Sequence, residues 1–265
     1  MNRKMISRLI LCGALALACA AVWAQSQPKP KSKKELEALQ AWQSATDPDT
    51  RLKAIENALT NFADTEFKVY LLEDAMQIEE RKNDFAQVVF YAERLLEADP
   101  KNAVALVTLA RDTARHTREF DLDKEEKLAK VDKYAKDGIE ASKTMTKPRA
   151  DITDAQWEDA RKEVQAEAYE AMAQAASLRK KYDDAIADYK QALELQGAAQ
   201  DPATLVRMGS AYEDAGKLDD ASAAFDKALN TPNVNAQVKA VAQAKKDEVA
   251  KKKAAGAGAS KPPGQ

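Results

Sequence analysis

From Lys34 onward, apolar residues return every three or four positions and are separated by short polar breaks, which is the spacing of one buried stripe on each of a series of helices. Leu39 and Trp42 begin it, and Leu52, Ile55, Leu59 and Phe62 continue beyond a break at Asp47-Pro48. Leu72, Ala75 and Met76 then pair with Val88, Ala92, Leu95 and Leu96, and Leu106, Leu109 and Ala110 pair with Leu128, Val131, Ala135 and Ile139. Asp47-Pro48 and Asp201-Pro202 have the form of helix starts, with Asp as the N-cap and Pro as the first helical residue. Thr153 and Gln156 form a capping box that opens a helix of about 25 residues.

Comparing the chain with itself reveals a period. KYDDAIADYKQAL at Lys181 and KLDDASAAFDKAL at Lys217 share 7 of 13 residues and lie 36 apart, with Tyr189 and Phe225 in register. Upstream, Tyr169, Met172 and Ala173 answer to Leu205, Met208 and Gly209. The unit from Pro202 to Asn233 is the clearest: Leu205, Met208, Gly209 and Tyr212, a turn at Gly216, then Ala221, Phe225, Ala228 and Leu229. Gly209 and Ala221 are small where two helices of a hairpin would cross most closely.

This layout resembles the tetratricopeptide repeat family, whose units are helix-turn-helix hairpins of about 34 residues. The resemblance implies an all-α, right-handed superhelical solenoid of about five hairpins over residues 34–233, closed by a capping helix at 234–253. Val238, Val241, Ala242 and Val249 would form the inner face of that last helix. It also implies a function: first helices of successive hairpins line a groove that holds a polypeptide. Carried over position by position, the groove residues are Tyr70, Glu73, Gln77, Val107, Arg111, Arg115, Glu170, Gln174, Arg207 and Ser210, with Glu80, Val104, Glu167 and Ala203 beside them. The Lys and Asn clamp that some members use for a terminal carboxylate is not matched, since Glu73, Gln77, Val107, Arg111, Glu170 and Gln174 stand at its positions.

The first 24 residues change the picture of where the chain works. Arg3, Lys4 and Arg8 precede an uncharged stretch from Leu9 to Ala24 that is too short to cross a bilayer, and Val22-Trp23-Ala24 offers a cleavage point before Gln25. Residues 1–24 are read as a signal peptide, 25–33 as a flexible basic linker containing Pro, and 254–265, rich in Gly, Ala and Pro, as a disordered tail. A periplasmic or secreted protein without a membrane span in its mature form is the expectation. The alternative is a structural envelope-assembly component anchored by a lipid on Cys19, similar to lipid-anchored outer-membrane assembly proteins built from such repeats.

Composition removes other chemistry. Both cysteines, Cys12 and Cys19, lie in the leader, and His116 is the single histidine, so neither a thiolate nor a histidine-pair metal site is expected. No phosphate-binding glycine string occurs. Asp121 to Glu126 alternates oxygens like a calcium loop, but Glu126 occupies the position that needs Gly. Once the leader's three positive charges are removed, the chain has a mild negative excess with interspersed signs, which is no footprint for nucleic acid. The lysines at 245, 246 and 251–253 are read as complementing a helix C-terminus. A non-enzymatic scaffold for a polypeptide partner, with no metal or cofactor, is what these residues predict. About nine residues between Arg115 and Glu126 exceed what the repeat needs.

Overall fold

The computed structural model describes residues 28–148 and 151–259. Every regular element among them is an α-helix. In chain order these are α1 (Lys33–Ser44), α2 (Pro48–Asn61), α3 (Lys68–Lys82), α4 (Phe85–Ala98), α5 (Ala103–His116), α6 (Lys124–Ser142), α7 (Asp154–Leu178), α8 (Tyr182–Leu195), α9 (Pro202–Asp214), α10 (Leu218–Leu229) and α11 (Ala236–Ala259). The signal-peptide reading and the end of the expected tail lie outside the described residues.

The helix starts follow the polar signals. The Asp47 carboxylate accepts from the Thr50 N–H and Asp201 from the Ala203 N–H, each followed by Pro at the first helical position. Thr153 and Gln156 complete their capping box, and α7 runs for 25 residues. Three hairpin turns share one local geometry: Asn83, Lys180 and Gly216 take left-handed backbone with φ of 58°, 61° and 74°. The next N–H in each case reaches back to Glu79, Ala176 or Tyr212 carbonyl oxygen at 3.1, 2.9 and 2.9 Å, closing the preceding helix.

The chain divides into two compact units, and the division falls in the sequence of α5 between Thr108 and Leu109. In the first, α1 packs on α2, α2 on α3 and α3 on α4. Its core includes Trp42, Ile55, Leu71, Leu72, Met76, Val88 and Leu95. A buried polar knot ties three helices: Asp74 accepts from Trp42 Nε1 at 2.7 Å and from Arg51 Nε. Residues 28–32, expected to be loose, are held, with Lys31 Nζ 2.8 Å from Asp64 and the Lys29 N–H donating to Glu66.

In the second unit α6 packs on α7, α7 on α8, α8 on α9, α9 on α10, and α11 on both α9 and α10. Alanines 171, 173, 185, 192, 221, 224 and 228 are buried around Tyr189, Leu205, Tyr212 and the fully buried Phe225. Small residues let the helices approach, and the aromatic rings fill the space between successive hairpins. At the α9/α10 crossing, a methyl group on Gly209 would lie 2.5 to 2.9 Å from three Phe225 ring carbons. Ala242 and Val249 seat α11 on this core with Val238 at its edge. Val241, expected on the same face, is instead 46% exposed, because it stands about 100° around the helix from Ala242. α11 also continues past Lys253 to Ala259, where a disordered tail was expected, since Ala254 and Ala255 favour the helix.

Candidate protein-interaction face

In the second unit a polar ribbon crosses three first helices. Arg111 on α5 donates from Nη1 to Glu167 on α7 at 2.9 Å and from Nε to Asp112 at 2.9 Å. One turn along α7, Glu170 accepts from Thr204 Oγ1 at 2.6 Å and Arg207 Nη1 at 3.1 Å, both on α9, and from Gln196 Nε2 at 3.0 Å. Gln174 lies one further turn along that face, and Ser210 one turn beyond Arg207.

The electrostatics separate paired positions from presented ones. Burial raises the Glu170 carboxyl above its ordinary range, opposed by the Thr204 hydrogen bond and the Arg207 charge. For Arg115, burial and then the nearby Arg111 charge lower its pKa, with Arg207 acting in the same direction. Three guanidinium groups therefore share one neighbourhood with Asp112, Glu167 and Glu170. Arg115 keeps 36% of its side chain exposed and Arg207 32%. Gln174 and Ser210 are half-buried, and Gln174 Nε2 has no hydrogen-bond partner among the described residues.

Several expected groove positions are not presented. Arg111 and Glu170 are only 7% and 3% exposed and tie one first helix to the next. In the first unit Tyr70 is exposed, but Gln77 and Val107 are buried, and the half-buried Glu73 accepts from Asn102 Nδ2 at 2.8 Å. Glu73 and Glu170 thus serve one purpose in two hairpins: a carboxylate on a first helix is anchored by the start of the next first helix. Burial raises the Glu73 carboxyl too. Val107 is covered because the stretch of α5 from Ala105 to Ala110, Thr108 included, is buried on every side of the helix. Glu167, Val104, Ala203 and Glu80 are half-buried.

Two acidic residues missed in the sequence organise the core edges. Asp74 is the first. The second is Glu213 on α9, 5% exposed, which receives Lys245 Nζ at 3.2 Å and Lys252 from α11. Lys246 pairs with Asp226 and Lys253 with Asp219. The basic run therefore docks the last helix sideways onto the last hairpin, and does not merely complement a helix terminus. A signal was present, because Lys245, Lys252 and Val249 share a helical face while the hairpin offers Glu213, Asp219 and Asp226. His116 ends α5, with Nδ1 2.8 Å from the Asp112 carbonyl oxygen. Asp121 takes the Arg118 N–H and Lys127.

Among the described residues no group of His, Cys, Asp and Glu is placed to hold a metal ion, and no helix is long and apolar enough to cross a membrane. What the fold and the ribbon define is an all-helical series of hairpins whose first helices are cross-tied by charge. Residues 166–198 and 202–232 match the tetratricopeptide repeat family. Among solved structures it is similar to "Assembly Chaperone of RpL4 (Acl4) (Residues 1-338)", at 11% identity over 86% of this chain and 99% of that one, TM-score 0.42. It is also similar to the structure titled "Crystal structure of MamA protein", at 20% identity over 62% of this chain and 91% of that one, TM-score 0.25. None of the curated proteins matches the chain.

Proposed function

We propose that this chain is a non-enzymatic interaction scaffold, exported to the periplasm or secreted after cleavage behind Ala24, that holds a polypeptide along the first helices of its second unit. The observation that carries the reading is the ribbon on α5, α7 and α9, where paired Arg111, Glu167 and Glu170 make a rigid base. Arg115, Arg207 and Ser210 stand at its solvent edge. Charge of both signs at close range suits a partner of mixed charge, and rigidity of the base lowers the entropic cost of binding.

The test uses the full chain expressed in its source cells. A photo-cross-linking residue at Ser210 is expected to capture a polypeptide, and Arg115→Glu is expected to weaken that capture without lowering the thermal midpoint. Unchanged capture in Arg115→Glu would refute the ribbon as the binding face. Mass spectrometry of the mature N-terminus is expected to read Gln25; a chain that retains residues 1–24 would refute export, and a lipid on Cys19 would favour the anchored envelope component instead.

A further inference from the structure

The connection between α5 and α6 carries two large apolar side chains with almost no cover. Phe120 is 88% exposed and Leu122 fully exposed, far above any other large apolar residue among those described. Two such side chains, two residues apart in one loop, depart from the singly scattered apolar residues that are normal on a surface. The segment that bears them is also firmly built. Thr117 Oγ1 donates to the Thr113 carbonyl oxygen at 2.7 Å, and the Asp121 carboxylate accepts from the Arg118 N–H at 3.1 Å and from Lys127 Nζ at 2.9 Å. From the next hairpin turn, Lys180 Nζ reaches Glu119 at 2.9 Å. Phe120 and Leu122 therefore project from a loop pinned on both sides of each, and little ordering remains to be done on binding.

We propose that this loop is a second docking element, in which Phe120 and Leu122 insert into an apolar pocket on a protein partner. The surrounding charge selects among occupants. Glu119, Asp121, Asp123, Glu125 and Glu126 are each engaged by a base, with Lys180, Lys127, Arg179 and Lys130 as their partners. The rim is therefore polar and close to neutral. A membrane-seeking loop needs a basic excess toward anionic lipid, which this rim lacks. An apolar centre within a polar, charge-balanced border is the anatomy of a protein interface. Aromatic and aliphatic anchors at such a centre carry most of the binding free energy. The two side chains supply well under half of the roughly 800 Å² that each partner buries in a standard interface, so the pocket's border must rest on the loop flanks as well. This inference does not depend on the first-helix ribbon, because the loop residues contribute nothing to it.

The experiment places a benzophenone-bearing phenylalanine analogue at position 120 of the full chain in its source cells, with Lys190 on α8 as the control position. The polypeptide cross-linked at 120 and not at 190 is then purified and titrated against the wild-type chain and the double variant Phe120→Ala, Leu122→Ala. The expected result is affinity lower by about thirtyfold or more in the double variant, the loss that a single hot-spot residue at threshold would cause. Phe120→Trp should keep affinity within about threefold, and no variant should move the thermal midpoint, since these side chains touch almost nothing. No adduct at 120, or equal affinity in the double variant, overturns the proposal. So does flotation on vesicles of phosphatidylethanolamine and phosphatidylglycerol that the double variant loses, which would make the loop a lipid probe. Concentration-dependent dimers dispersed by the same variant would make its occupant a second copy and overturn it as well. Loss of binding in Arg115→Glu with none in the loop variant would leave the first-helix ribbon standing and remove the loop.

Discussion

Replacing Gly209 with Ala should destabilise the second unit, although at an ordinary helix position the same change stabilises. In a helix interior Ala is favoured over Gly by about 1 kcal/mol, and one more buried methyl adds about 0.8 kcal/mol. Against both stands geometry. The new Cβ would lie 2.5, 2.8 and 2.9 Å from Cε1, Cδ1 and Cζ of Phe225. Relaxed carbon contacts sit near 3.5 to 4.0 Å, so the ring must move by about 1 Å. Phe225 has no exposed surface and is packed among Ala221, Ala224 and Ala228 on its own helix, which leaves the ring nowhere to go without moving α10. Overpacking of this sort costs about 1 to 3 kcal/mol, and this approach is close enough to sit at the upper end. With the helix preference and the methyl burial both subtracted, a net loss of about 1 kcal/mol is expected.

Urea denaturation followed by circular dichroism measures it, and a fall in midpoint with unchanged slope would mark a loss of stability and not a change in the unfolded chain. The double variant Gly209→Ala, Phe225→Leu supplies the control: a smaller side chain makes room for the methyl, so the two changes together should cost at least about 1 kcal/mol less than their sum. A neutral or stabilising Gly209→Ala, or strict additivity with Phe225→Leu, would refute the idea that this crossing sets the spacing of the last hairpin.

Other outcomes follow from the turns and the charges. Lys180→Gly should stabilise by about 0.5 to 1 kcal/mol, because a left-handed backbone costs a non-glycine residue about 1 to 2 kcal/mol and Gly recovers part of it; urea midpoints decide, and a fall would mean that the Glu119 pair matters more than the backbone. Burial, with the Asp184 and Asp132 carboxylates nearby, pushes Asp188 up to about 6. The folded chain therefore holds a proton there that the unfolded chain releases, and stability should rise as pH falls from about 6 toward 4. Asp188→Asn should add about 1 kcal/mol at pH 7, after allowance for partial solvent screening, and nothing near pH 4; equal midpoints at pH 7 would count against it. Hydrogen bonds from Lys252 and Lys245 bring Glu248 down to about 2. Its contribution is present above about pH 4 and fades as pH falls toward 2, so hydrogen exchange in α11 should quicken over that window and Glu248→Gln should remove the step.

Local signals carried the helices because each is a contest between neighbours on the chain: Asp47 and Asp201 cap what Pro48 and Pro202 begin, and Thr153 with Gln156 opens α7. The same holds for Gly209, whose smallness has one use once a period places it opposite Phe225. The groove was less legible, for a reason the structure makes concrete. A solvated helix face and a buried polar tie use the same residue types, and Glu170 differs from a surface glutamate through Gln196, Thr204 and Arg207, 26, 34 and 37 residues away. Spacing within one helix holds no record of those distant partners. Arg111 is hidden in the same manner by Glu167, 56 residues on. Charged positions that recur at the same place in successive hairpins are thus better read first as ties between hairpins. The residues left at the edge once every tie is made, Arg115 and Ser210 foremost, are where a guest would be met.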